Sequence, residues 1–167
     1  GGAVFWATKA KQWIINDCSE ELVLVYLYSQ QQDALFINYI KDIGQIWQLK
    51  NSYKLDIVQL LPVDSNTDQF AFVVKIAYEL LDSVSSLPSD KKQLALSLAK
   101  GIEQKKKSLA KIAKTVEISN WDDNALGAVG AGIYTYIRYL YNRTNVEESP
   151  QLKAALYLFL REYAYSS

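Results

Sequence analysis

Apolar residues recur at three- and four-residue spacing along most of this chain, and that period constrains the fold more than any other feature. Leu35, Phe36, Tyr39, Ile40, Ile43, Ile46 and Trp47 make one such stripe, and Leu94, Leu98, Ile102, Leu109, Ile112 and Val116 make another. At about 3.6 residues per turn each set falls on one helix face, so the expected fold is a set of helices joined by short breaks. Asn51-Ser52, Pro62, the Asp64-Ser65-Asn66-Thr67 cluster, Ser85 to Ser89 and Ile118-Ser119-Asn120 supply the breaks. Leu55 to Leu61 is a short apolar piece, and a helix is expected from about Asp68 to Val84.

Ser89 or Asp90 is expected to cap the long helix through Leu94. Asp122 and Asp123 fall in the first turn of the next helix, where carboxylates oppose the positive dipole end. Ser149-Pro150 starts a last helix with a cap residue and a first-turn proline. Lys105 falls inside the apolar arc, so it snorkels or the helix bends near Gly101. Gly127, Gly130 and Gly132 with Ala128 and Ala131 form a small-residue surface suited to close helix packing. With no Lys-Ser/Thr following, it is not a phosphate loop.

The first residues read differently. Gly1-Gly2 runs into Ala3-Val4-Phe5-Trp6; Trp13-Ile14-Ile15 is closed by Asn16-Asp17; and a helical run begins at Glu21. Glycine turn, helix, strand, acid at the strand tip and helix is half the layout of a nucleotide-type cofactor site, in which a carboxylate accepts bonds from ribose hydroxyls. On spacing alone the favoured reading of Asp17 is a helix N-cap for the run beginning at Ser19. The expected fold class is therefore mainly α: a helical bundle attached to a short, partial α/β, Rossmann-like cofactor-binding segment. Its parts are 1–30 for that segment, 31–148 for the helical domain and 149–167 for a helix leading back.

Gly2-Ala3-Val4-Phe5, Ile15-Asn16-Asp17 and Leu22 to Tyr26 resemble the cofactor motif of the Dam-like class of N6-adenine DNA methyltransferases. Pro150 to Tyr165 is similar to the helix that leads into that class's DNA-reading hairpin. The resemblance implies S-adenosylmethionine as cofactor, with Gly1 and Gly2 passing its methionine end and Asp17 binding its ribose. It implies double-stranded DNA as partner, with Tyr165 near the target base pair and residues 41–148 in the place of the target-recognition domain. A bacterial or phage cytoplasm is the implied location. Pro62, Pro88 and Pro150 are the only prolines, each between non-prolines, so the class's Asp-Pro-Pro-Tyr motif is not in this sequence. With methionine also absent, the chain is expected to be an internal fragment, inactive alone although its parent is an enzyme.

Charge balances at 18 basic and 18 acidic residues, so DNA affinity must come from local patches. Lys100, Lys107, Lys111 and Lys114 share a helix face that either meets phosphates or is simply solvated. Tyr134, Tyr136, Tyr139 and Tyr141 beside Arg138 and Arg143 could stack on bases; hydroxyls at the rim of a buried helix explain them more cheaply. Without histidine and with Cys18 alone, zinc sites and histidine catalysis are excluded within the chain. No apolar run approaches the ~20 residues of a membrane span. The competing function is a non-enzymatic helical interaction or adaptor module of phage or plasmid origin.

Overall fold

The computed structural model describes residues 19–62 and 69–163, and every element there is helical. In chain order these are α1 (Glu20–Gln31), α2 (Ala34–Leu49), a 3-10 turn (Lys50–Tyr53), α3 (Lys54–Leu60), α4 (Gln69–Asp82), α5 (Lys91–Ile112), α6 (Trp121–Arg143) and α7 (Pro150–Tyr163). The helical bundle is as the periodicity predicts. The strand expected before Asp17 lies outside the described residues, as do Gly1, Gly2, Asp17, Cys18 and Tyr165.

Side-chain caps fix most of the boundaries. Ser19 accepts from the Leu22 amide and starts α1, so the cap role open to Asp17 is filled by Ser19. Asp33 accepts from the Phe36 amide, Asp90 from Gln93 and Asn120 from Asp123. Each satisfies an amide that has no partner within its helix. Of the two residues weighed as cap for α5, Asp90 is the one used. Between α1 and α2 only Gln32 and Asp33 intervene, and Gln32 takes a left-handed φ of 53° to turn the chain.

α6 is the centre of the bundle. It packs against α5, α3 and α7; α4 covers the other side of α5; and α7 lies on both α1 and α2. One continuous core results, running from Ile57, Val73 and Leu80 through Leu98, Ile102 and Ile133 to Leu156 and Phe159. α1 shares it through Val25 and Tyr28, with Leu22 and Tyr26 also buried. The α5–α6 contact is the closest. A Cβ on Gly132 would stand 2.7 Å from the Leu98 Cα, and one on Gly101 would stand 2.5 Å from the Ala128 carbonyl oxygen. The small-residue surface thus brings two backbones together, with Gly101 as an unforeseen partner.

The second apolar stripe departs from expectation at its end. Leu94, Leu98, Ile102 and Leu109 are buried, but Ile112 is 46 % and Val116 62 % exposed. α5 stops at Ile112, and a turn closed by the Thr115 and Val116 amides on the Ile112 carbonyl redirects the chain toward α6. Leu109 is the last residue of the arc inside the core. Lys105 snorkels: half-buried, it lays its stem alongside Gly127.

Candidate functional site

An opening of 560 Å³ lies where the end of α2 and the 3-10 turn face α6. Its size is ordinary for a small-molecule site. Trp47, Lys50 and Asn51 form one wall; Gly127, Gly130 and Tyr134 form the other. The wall from α2 is rigid because Trp47 is wedged against α7, its ring centroid 4.5 Å from that of Tyr163 and 5.3 Å from that of Phe159. The wall from α6 is low because two glycines, one turn apart, carry no side chains there. A Cβ on Gly130 would stand 3.3 Å from the Trp47 ring and 3.9 Å from the Lys50 ammonium.

Lys50 holds its ammonium 3.3 Å from the Trp47 ring centroid. That cation–π contact is attractive but does not neutralise the charge. No carboxylate among the described residues pairs with Lys50, and burial pulls its amine below the ordinary lysine value. At the next turn of α6 the Lys105 ammonium would stand 3.6 Å from a Cβ on Gly127, and it too has no carboxylate partner among the described residues. Ammonium groups from the 3-10 turn and from α5 therefore stand beside successive glycines of α6, Lys50 lining the cleft and Lys105 at its margin. Chemically the cleft offers positive charge, the Asn51 amide and the Tyr134 hydroxyl.

The lysines singled out from the sequence lie elsewhere. Lys100, Lys107 and Lys111 are on α5, and Lys114 is exposed in the turn beyond its end, so it is not on the same helical face. Lys107 is paired with Glu103, whose carboxyl is held below its ordinary value by that hydrogen bond. These lysines are exposed, and three of them have no carboxylate partner among the described residues.

The tyrosines of α6 divide by role. Tyr136 is fully buried, donating from its hydroxyl to the Pro88 carbonyl and accepting from the Asp90 amide. Tyr139 donates to the Asp90 carboxylate. Together they clamp the α4–α5 loop, which Asp42 also grips by accepting from the Ser85 and Ser86 amides. Tyr141 donates to Glu21 at 2.6 Å, and Lys153 both donates to the Tyr141 carbonyl and stands 3.6 Å over its ring. That network joins α1, α6 and α7. Burial first, and the bond to Glu21 second, push the Tyr141 hydroxyl up to about 12; the same bond is the main cause holding Glu21 below its ordinary value. These rings are engaged in packing and internal bonds. Of the four, only Tyr134, in the cleft, has no such hydrogen bond among the described residues.

The sequence reading reached Gly127, Gly130 and Tyr134 of the α6 wall but not the wall from α2, whose local signal is Trp47 and Lys50 three residues apart at a helix end. No known family, curated protein or solved structure matches the chain.

Proposed function

We propose that the chain is part of an S-adenosylmethionine-dependent DNA adenine N6-methyltransferase, in which Asp17 accepts hydrogen bonds from the cofactor's ribose and Gly1 and Gly2 pass its methionine end. The observation that carries the reading is the packing of α1 on α7. A helical recognition domain set into a cofactor-binding core must leave and re-enter that core at neighbouring points. α1 begins just after Asp17, and α7 is the helix that resembles the class's return to its core. The Glu21–Tyr141–Lys153 network fastens those two helices to α6. The bundle would then carry DNA contacts, among them Lys100, Lys107, Lys111, Lys114 and Tyr165, while an adenine flipped from the duplex meets the methyl donor.

The missing Asp-Pro-Pro-Tyr would stabilise the reacting amine, so these 167 residues alone are expected to transfer no methyl group. Cofactor binding is the direct test. Saturation-transfer NMR should show S-adenosylmethionine ribose protons in contact with the protein, lost in Asp17→Ala and kept in the surface variant Lys92→Ala. Absence of that signal at millimolar cofactor, or its indifference to Asp17, would sink the assignment. It would favour the helical adaptor, whose support is that all described elements are helical.

A further inference from the structure

We propose that the cleft between α2 and α6 is a phosphate-binding site, with Lys50 and Lys105 supplying charge and Asn51 and Tyr134 supplying hydrogen bonds. Lys50 lines the cleft and Lys105 stands beside Gly127 at its margin, both without counter-charges. Lys50 is half-buried, and neither it nor Lys105 has a carboxylate partner among the described residues. Withdrawing an ammonium from water without pairing it costs free energy, which a bound anion recovers. The nearby acids do not fill that role. Asp122 is paired with Lys54, and Asp123, one turn before Gly127, is exposed and bonded to Asn120.

The cleft also has room for the anion. Gly127 and Gly130 occupy the two positions of α6 beneath the ammonium groups. Larger side chains there would fill the cleft and displace Trp47 and Lys50. One lysine in the cleft and a second at its margin favour a ligand with close to two negative charges, which a phosphate monoester carries near neutral pH, at about −1.5 to −2. A backbone diester carries one. Lysine suits this task as a compact point charge with three donors, and the amide and hydroxyl can complete the shell around the oxygens. The phosphate follows from the cleft alone. Only the choice of a nucleotide as its carrier rests on the DNA reading above.

Titration calorimetry with adenosine 5′-monophosphate, adenosine and a blunt duplex lacking terminal phosphates separates the sources. The monophosphate should bind at least tenfold more tightly than adenosine, and Lys50→Gln and Lys105→Gln should each weaken it about tenfold, the range expected for one charge-assisted hydrogen bond. Lys50→Arg should retain most of the affinity. Gly130→Ala, checked for intact helicity by circular dichroism, should weaken binding by crowding Trp47. Tighter binding of the duplex than of the monophosphate, with the same dependence on Lys50, would place a backbone diester in the cleft and still support the site. Equal binding of adenosine and its monophosphate, or monophosphate binding unchanged in both glutamine variants, would overturn it. Inorganic phosphate, which has no ribose for Asp17 to hold, should bind with the same dependence on Lys50 and Lys105, so failure of the cofactor reading and failure of this site are told apart.

Discussion

At the residue scale the tyrosines of α6 show how a side chain that looks like a ligand contact becomes a structural tie. Tyr136 satisfies both a carbonyl and an amide of the α4–α5 loop from a fully buried position. Tyr136→Phe keeps the ring but strands both partners. A drop in stability of about 1–3 kcal/mol is expected in chemical denaturation, the cost of buried polar groups left unmade. Tyr53, Tyr136 and Tyr141 are each pushed up to about 12, with burial the largest cause. Their folded values lie above the unfolded value of 10, so the stability they confer is complete below pH 10 and is lost as pH climbs toward 12. Absorbance at about 295 nm should show these tyrosines ionising late, together with Tyr28 and Tyr139, whose hydroxyls are also raised. Glu21 works in the opposite direction. Its folded value is lowered, mainly by the Tyr141 hydroxyl, so its contribution is present above pH 4.5 and is lost as pH falls through the folded value. Tyr141→Phe should shrink both limbs of the stability–pH curve; an unchanged acid limb would show that the Glu21 bond is not formed in solution.

At the element scale the glycines separate what helix propensity predicts from what packing decides. Gly44 and Gly132 both sit inside helices, where alanine is intrinsically better by about 1 kcal/mol. A Cβ on Gly44 meets nothing within 4 Å, so Gly44→Ala should stabilise by roughly 0.5–1 kcal/mol. On Gly132 it meets the Leu98 backbone at 2.7 Å and the Ser97 carbonyl oxygen at 3.0 Å. Neither can yield without moving α5, so Gly132→Ala should destabilise by about 1–3 kcal/mol despite its better propensity. Thermal melts of the two variants should shift in opposite directions. The later helix boundaries were legible, since breaks are local chemistry, but the Gln32-Asp33 turn between α1 and α2 was not, because apolar residues recur on both sides of it. Asp90 caps α5 with its own side chain, and α7 starts at Pro150, whose fixed φ suits the first helical position. The end of α5 was not legible, because Ile112 and Val116 keep the period while the core beneath them has ended.

At the scale of the whole molecule, charge is balanced in sum and uneven in place. If the α5 face meets DNA, converting Lys100, Lys111 and Lys114 together to glutamine should weaken duplex binding and flatten its dependence on salt, by roughly 0.9 in log–log slope for each phosphate left without its lysine. Lys107→Gln should matter less, since Glu103 already holds that ammonium. A salt slope unmoved by the triple change would assign this face to solvent. The sequence by itself determined that the chain is helical from α1 onward and which azimuth of α2 and of most of α5 is apolar. Those properties follow from period and from residues a few positions apart. Only the tertiary structure decided that Gly101 meets Gly132 while Gly44 meets nothing. It alone set Lys50 and Lys105 over one strip of α6 and placed α7 on α1. The physical reason is that a helix's sequence encodes which face is buried but not which neighbour buries it, at what rotation, or which distant charges arrive at the same surface.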